Sequence, residues 1–291
     1  MSTNGQVDTH RNDQRRAHLQ AVSLSAWDLD RSSSQEGRDA RAKVMVLRTH
    51  ERLRLLSEAE LGVPKHKRTF LKVGKDGQPG VLLIHGTDQT PANLVPLARS
   101  MHAAGLTVHG LLQADDGHGV TGRPEARWRA SLQMVRHGHR LLADCCPAVY
   151  VVGVGYGAAL AVHLANREKV AGLVLLAPAI MPRVSLGLRM LQALGLLKVP
   201  FIRRRVGLTV DVLEGMQEAH NLTSKIDVPI FGAMCDDDDE VSPEALRVLQ
   251  KRARNRHCRF QAFPEGGHDV LAAHGSASLD EDIIRFVRQK Y

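Results

Sequence analysis

The chain of 291 residues, 43% of them hydrophobic, is long enough for one large α/β core or two smaller domains. Aromatic residues make up only 4%, which leaves little material for base stacking and argues against nucleic-acid binding. The formal net charge is +8, with basic residues in excess over residues 1–80 and 181–225. We interpret these charges as a solvated face, with an acidic partner or an anionic surface as the alternative.

The first 40 residues are polar and show no apolar periodicity. Such a segment cannot bury enough surface to offset its chain entropy, so we interpret residues 1–40 as a disordered basic tail without a secretory signal. Residues 41–67 are predicted to form an N-terminal helix and linker, the helix covering 41–61 and docking on the core or on a partner. The apolar residues expected along one side of it are Val44, Leu47, Leu55, Leu56 and Leu61.

From residue 68 onward, short apolar runs alternate with helical stretches. The predicted strands are TFLKVG, VLLIHG, LTVHGLLQ, AVYVVG, VAGLVLLAP, VPIFGAM and CRFQAF. Strands that alternate with helices in this way predict a mostly parallel central sheet covered by helices on both faces. Residues 181–225 interrupt the alternation with Leu-rich and Arg-rich helical sequence. Because this segment is longer than a simple crossover needs, we predict a small helical cap there.

One strand runs into a glycine-rich turn and then an alanine-rich helix, in the segment VYVVGVGYGAALAVHLA. Gly153, Gly155 and Ala158 fit the dinucleotide-binding pattern G-x-G-x-x-A, but the acidic residue expected about 20 positions later is missing, and two strands precede this unit. The same turn fits G-x-S-x-G, a sharp strand-to-helix bend, at every position except the serine. Gly155 occupies that position, between Gly153 and Gly157.

Four further motifs favour the second interpretation. His85-Gly86 ends one strand, and Gly117-His118-Gly119 follows the next. Downstream, CDDDDEVSP contains an Asp three residues before a Val and five before a Pro, and FPEGGHDVL contains a histidine. With these motifs, residues 68–291 resemble the α/β-hydrolase fold superfamily, of the carboxylesterase, monoacylglycerol lipase and serine aminopeptidase type. The resemblance implies an α/β-hydrolase fold with a helical cap over about 181–225.

The resemblance also implies roles for individual residues. Asp238 would orient the base His268, and the backbone amides of Thr87 and Tyr156 would form the oxyanion hole. His85 and Gly86 would line the site, with His85 expected as a structural hydrogen-bonding residue. Gly155 has no side chain, so no acyl-enzyme can form at the nucleophile position. As a substitute nucleophile, Cys235 is the least unsuitable residue, although it is not a convincing one.

The cysteines Cys145, Cys146, Cys235 and Cys258 lack metal-ligand spacing, which is typical of a reduced, cytoplasmic protein. The pair His137 and His139 has no carboxylate or cysteine around it and is expected at a solvated helix end. The acidic run over residues 236–240 lacks the alternating ligands and central glycine of a calcium loop and is interpreted as mostly turn and surface, with one residue in the site. We therefore expect no metal and no cofactor.

Three functions remain open from the sequence. The first is an inactive pseudo-hydrolase that binds a small acyl or hydrophobic ligand in its pocket, or a protein partner through residues 1–61 and the cap. The second is a hydrolase, or a cofactor-free lyase or oxygenase, that uses the dyad of Asp238 and His268 as a general base. The third is a serine carboxylesterase inactivated at Gly155. Residues 148–165 carry no charge, but strand, turn and helix explain them, so no transmembrane segment is expected.

Overall fold

A computed structural model describes residues 35–87, 89–113, 127–181, 200–273 and 278–289. Most of the predicted tail, the Gly117-His118-Gly119 triplet and residues 182–199 of the predicted cap lie outside the described residues. The chain divides into two compact units, Met1–Lys43 and Val44–Tyr291. The sheet and the site described below belong to the second unit.

Seven strands form one sheet in the order β1-β3-β2-β4-β5-β6-β7. The strands are β1 (Phe70–Lys72), β2 (Gly80–Ile84), β3 (Thr107–Leu111), β4 (Val149–Val154), β5 (Gly172–Leu176), β6 (Ile230–Cys235) and β7 (Arg259–Phe263). All neighbouring strands are parallel except β1, which runs antiparallel to β3. The predicted, mostly parallel central sheet is thereby confirmed.

Seven α-helices connect or flank these strands within the described residues. They are α1 (Gln35–Glu60), α2 (Val95–Ala103), α3 (Arg127–Cys145), α4 (Tyr156–Ala165), α5 (Pro200–Leu222), α6 (Glu244–Arg252) and α7 (Leu279–Arg288). Short 3₁₀ helices cover Lys65–Lys67, Pro91–Leu94 and Thr223–Lys225. Among the helices that the structure describes, none has both the length and the apolar content that crossing a bilayer requires.

The core lies in two layers, one on each face of the sheet. Adjacent strand residues point to opposite faces, so on β2 Leu82 and Ile84 belong to one layer while Val81 and Leu83 belong to the other. Helices α3, α4 and α5 contribute to the first layer, and α2 and α7 to the second. Because both faces are covered, the central strands are fully buried, which explains their continuous apolar sequence.

The described part of the predicted cap is helix α5. Its residues Val212, Met216 and Ala219 are buried in the same core layer as α3 and α4. Two hydrogen bonds fix it there: Asp211 accepts from the backbone N–H of Trp128 at 2.8 Å, and the carbonyl of Gly215 lies 2.8 Å from Nε2 of His163. This half of the segment is therefore a flanking helix of the core.

Helix α1 is longer than predicted and is oriented differently. It begins at Gln35, six residues before the predicted start, and acidic residues near its N-terminus favour helix there without any apolar pattern. The structure does not place all of the expected apolar side chains on one buried side of the helix. Leu47 is buried and Leu55 is half-buried, whereas Val44, Leu56 and Leu61 are exposed. The prediction of a single docked apolar side is therefore wrong.

Polar contacts attach α1 to the edge of the sheet instead. The buried carboxylate of Glu58 accepts hydrogen bonds from the backbone N–H of Thr69 at 2.8 Å, from the hydroxyl of the same residue, and from Nε of Arg54 at 2.9 Å. Glu51 accepts a 2.9 Å hydrogen bond from the backbone N–H of Leu71 in β1. The helix is thus held mainly by carboxylates that cap backbone groups of an edge strand.

The basic excess of the N-terminal region begins with α1. Residues 1–40 contain 5 Lys and Arg against 6 Asp and Glu, whereas residues 41–80 contain 10 against 4. The description of the tail as basic is therefore wrong, and the positive charge belongs to the helix and the segment that follows it.

Candidate functional site

The turn between β4 and α4 has the geometry of a nucleophile-bearing bend. Gly155, its central residue, has φ 54° and ψ −120°, a region that glycine enters easily and that costs other residues about 1–3 kcal/mol. Its N–H donates to the carbonyl of Leu176 at 2.9 Å, and its own carbonyl accepts from the N–H groups of Ala158 and Ala179, both at 3.1 Å. The bend is therefore fixed by β5 and by the first turn of α4.

The two flanking glycines are required by close backbone approach. A Cβ on Gly153 would lie 2.5 Å from the backbone nitrogen of Ala158. A Cβ on Gly157 would collide with the carbonyl oxygen of Ile84 and would lie 2.5 Å from that of His85. Both positions therefore exclude side chains, which is the role of the outer glycines in the G-x-S-x-G bend.

The loops that follow β6 and β7 bring an acid and a histidine together beside this bend. Asp238 is completely buried, and its Oδ1 accepts from the backbone N–H groups of Glu240 and Val241, both at 2.9 Å. Its Oδ2 lies 2.9 Å from Nδ1 of His268. This contact places the proton on Nδ1 and directs Nε2 toward the bend, where a Cβ on Gly155 would lie 2.8 Å from it. The predicted residues Gly155, Asp238 and His268 thus converge.

Negative charge surrounds the imidazole of His268. Burial on its own lowers the pKa of His268, but the hydrogen bond and charge of Asp238, followed by the charges of Glu240 and Asp239, outweigh burial and raise it above its ordinary value. Glu240 Oε2 lies 3.7 Å from Nε2, on the side opposite Asp238. The ring therefore retains its second proton to a higher pH than a free histidine does.

The loop after β2 borders the bend. The Cα of Gly86 lies 3.8 Å from the position of a Cβ on Gly155, and Thr87 follows it at the surface. Tyr156, the other predicted oxyanion-hole residue, is buried as the first residue of α4. His85 is also buried: its Nε2 accepts from the N–H of Gln113 at 3.2 Å, so its Nδ1 carries the proton and donates to the carbonyl of Gly86 at 2.8 Å. Its ring ties the ends of β2 and β3 together.

Solved structures of lipolytic enzymes share this architecture. One match comes from the work on LipS and LipT, two metagenome-derived lipolytic enzymes, with a TM-score of 0.65 and 17% identity, covering 77% of this chain and 98% of that one. A monoacylglycerol lipase from Paleococcus ferrophilus matches with a TM-score of 0.60 and 14% identity over 75% and 97%. A soluble variant of monoglyceride lipase from Saccharomyces cerevisiae, in complex with a substrate analog, matches with a TM-score of 0.62 and 12% identity over 76% and 90%. The chain has the α/β-hydrolase fold.

One relative identified by sequence is a monoacylglycerol lipase. The thermostable monoacylglycerol lipase of Bacillus sp. (strain H-257) is 34% identical over an alignment of 99 residues that covers 32% of this chain. The chain spans 38% of the length of that lipase. No model of a protein family matches the chain. These similar proteins include lipolytic enzymes, and the structural likeness establishes the α/β-hydrolase fold that the sequence motifs predict.

Two acidic residues of the run 236–240 are exposed in a turn, as the sequence predicts, and also contact the loop or the ring of His268. Asp237 accepts hydrogen bonds from the backbone N–H groups of Gly266 at 3.1 Å and Gly267 at 2.8 Å. It therefore ties the loop that carries the acid to the loop that carries His268. Glu240, by its position near Nε2, is the other. One indication of these roles is present in the sequence: the run 236–240 contains five acidic residues, and the site needs only one.

Other candidate groups are excluded by their surroundings. Cys235 is buried, and burial together with the neighbouring aspartates raises the pKa of its thiol to about 11, so it is not an activated nucleophile. The structure places none of the four cysteines in a disulfide. His139 is buried with Nε2 facing the carbonyl of Lys169 at 3.1 Å, which corrects its expected place at a solvated helix end. In the part of the chain that the structure describes, no three His, Cys, Asp or Glu residues are arranged to hold a metal ion.

Proposed function

We propose that the protein is a non-catalytic α/β-hydrolase that binds a small acyl or hydrophobic ligand above the bend at Gly155. The observation that carries this proposal is the glycine itself. It sits in the strained conformation of a nucleophile, beside a correctly oriented histidine, and has no atom that could attack an acyl carbon. The spacing of the four cysteines is typical of a reduced protein, and we also propose a location in the cytoplasm.

The rest of the site supports binding by a polar group at the bend. Nε2 of His268 faces the nucleophile position, and the protonated ring can donate a hydrogen bond to a carbonyl or carboxylate oxygen there. The loop after Gly86 runs beside the same position. Thr87 and Tyr156 are the residues whose backbone amides we propose as further donors, and an acyl group has the oxygen that such donors need.

The proposal is tested with the full-length protein and two kinds of probe. We expect no hydrolysis of p-nitrophenyl acetate or butyrate above that of the His268→Ala variant, and no covalent labelling by a fluorophosphonate. Gly155→Ser supplies the missing hydroxyl beside Nε2 and serves as the positive reference for labelling. Monodecanoylglycerol should raise the melting temperature of the unmodified protein. Hydrolysis that disappears in His268→Ala, or a fluorophosphonate adduct on any side chain of the site, would show that the protein is a catalyst.

The intact dyad favours a second candidate, an enzyme that acts by general base catalysis alone. The 2.9 Å contact between Asp238 and His268 orients a neutral imidazole whose Nε2 could take a proton from water or from a substrate. Such a base contributes about 10²- to 10⁴-fold. A screen of activated esters and lactones, run with the unmodified protein and with Asp238→Asn, tests this. The rate should rise with pH through the raised pKa of His268, because the base acts in its neutral form.

A further inference from the structure

Several large apolar side chains in the second half of α1 face away from the protein. The positions that face inward, buried or half-buried, are Leu47, His50, Glu51, Arg54, Leu55 and Glu58. The exposed positions on the opposite side, from residue 45 onward, are Met45, Val46, Arg48, Thr49, Arg52, Leu53, Leu56, Ser57, Ala59 and Glu60. Both sets repeat with the period of a helix, so they form two opposite faces. Four of the six inward positions are polar or charged, whereas the outward positions include the large apolar residues Met45, Val46, Leu53 and Leu56. A docked helix usually buries such residues.

Exposed large hydrophobic side chains concentrate along α1 and the residue that follows it, and four of the six lie on this outward face. Within the described residues they are Val44 (41% exposed), Met45 (51%), Val46 (52%), Leu53 (62%), Leu56 (54%) and Leu61 (47%). Val44 and Leu61 fall, by helical spacing, on the side of Leu47 and Arg54, so we call the other four residues the outer face. A patch of this kind on one straight helix is typical of an interaction site, since scattered single residues would be expected otherwise.

Positive charge borders the outer face. Arg48 and Arg52 lie along one edge of it, and Lys65 is exposed beyond the end of α1. Arg48 is paired with Glu51 at 3.2 Å, whereas Arg52 and Lys65 take part in no ion pair within the described residues. The exposed acid on this side of residues 44–67 is Glu60. The occupant of the outer face should therefore combine an apolar layer with negative charge.

A second copy of the chain fits this requirement poorly. In a twofold-symmetric antiparallel pair of helices, each edge of the apolar stripe faces the same edge of the partner helix. The edge that carries Arg48 and Arg52 would then meet the same arginines of the other copy. Like charges at that edge oppose the pairing. The interface of an anionic bilayer offers an apolar layer under negative headgroups and has no such conflict.

We propose that the outer face lies flat on an anionic lipid surface, with its apolar side chains at the boundary of headgroups and acyl chains and with Arg52 and Lys65 among the headgroups. From Val44 to the end of α1 at Glu60 the helix extends about 24 Å, at 1.5 Å per residue. Residues 41–80 supply the charge balance that attracts such a surface, with 10 basic against 4 acidic residues. This surface is independent of the ligand site at Gly155.

Vesicle flotation of the full-length protein tests the proposal. The protein should float with vesicles of phosphatidylcholine and phosphatidylglycerol, less with phosphatidylcholine alone, and less in 0.5 M NaCl. Leu53→Ser with Leu56→Ser should weaken the partition about tenfold or more, because two apolar side chains no longer enter the lipid. Arg52→Gln with Lys65→Gln should weaken it about fivefold per cation. The matched control, Lys251→Gln with Arg254→Gln, removes two exposed cations elsewhere on the protein. It should weaken vesicle binding less than Arg52→Gln with Lys65→Gln does.

Two results, one in flotation and one in light scattering, would contradict the proposal. If the protein does not float, or if it floats equally well with neutral vesicles, the anionic surface is not the occupant. If light scattering shows a dimer that Leu53→Ser with Leu56→Ser converts to a monomer, a second copy covers the outer face instead. Because both leucines are exposed, their substitution should leave the melting temperature nearly unchanged, which separates loss of binding from loss of folding.

Discussion

Restoring a serine at the bend should make the protein less stable. Gly155 adopts φ 54° and ψ −120°, and a serine in its place must adopt the same backbone conformation, because the bend is fixed by hydrogen bonds to β5 and α4. The new Cβ would lie 2.8 Å from Nε2 of His268, closer than such contacts occur, so the imidazole has to shift by a few tenths of an ångström. Both effects act on the folded state.

The loss of stability is set by one unfavourable and two favourable contributions. Backbone strain costs a residue other than glycine about 1–3 kcal/mol. Replacing glycine reduces the entropy of the unfolded chain and returns about 0.4–1 kcal/mol. The serine hydroxyl can donate to Nε2 of His268, which limits the cost of the close contact. We therefore expect Gly155→Ser to lose about 0.5–2 kcal/mol, or about 1–6 °C in melting temperature for a domain of this size. Gly155→Ala lacks the hydroxyl and should lose more, by about 0.5–1.5 kcal/mol.

Differential scanning calorimetry at one pH compares the variants with a control at Gly77. Gly77 also has a positive φ, 72°, but a Cβ there has no heavy atom within 4 Å. Gly77→Ser therefore reports the cost of a left-handed backbone without crowding and should lose less than Gly155→Ala. An unchanged or higher melting temperature for Gly155→Ser would refute the reasoning, since strain at the bend would then be absent.

Three other expectations follow from the structure. Gly157→Ala places a Cβ against two backbone carbonyl oxygens at the end of β2 and should cost about 3 kcal/mol or more in urea unfolding; a loss below about 1 kcal/mol would contradict this. Glu58→Gln should cost about 1.5–3 kcal/mol, because Glu58 is a buried multiple acceptor, while the exposed Glu60→Gln should stay within about 0.5 kcal/mol; equal effects would argue against polar docking of α1. His268 should titrate by NMR above about 6.5, and Asp238→Asn should lower that midpoint. Since the pKa of His268 is raised on folding, its contribution to stability is present in acid and is lost as pH rises through the folded-state pKa.

The sheet and the convergence of site residues were predictable because both depend on local pattern and chain order. Apolar runs that alternate with helical stretches predict parallel strands, and parallel strands place their carboxyl ends at one edge. Gly155, Asp238 and His268 each follow a predicted strand, so their meeting is a consequence of topology. The glycine pattern was ambiguous by itself, and the order of the other motifs along the chain resolved it.

The docking of α1 could not be predicted from apolar periodicity. Its inward face uses Glu51 and Glu58 to accept from backbone N–H groups of residues 69 and 71, beside an edge strand that has unpaired donors on one side. A pattern search assigns charged residues to solvent and apolar residues to the core, and here both assignments fail. The role of Asp237 was hidden for a related reason, because its partners are backbone groups of a loop 29 and 30 residues away.

The clamp formed by Asp237 has a consequence for how the site can evolve. It joins the loops of Asp238 and His268 directly, so the two loops stay connected without any contact to a side chain at the bend. Some glycine codons differ from serine codons by one base. A single base change could therefore replace serine with glycine at position 155, or restore it. The connection between the loops of Asp238 and His268 would be retained in both cases.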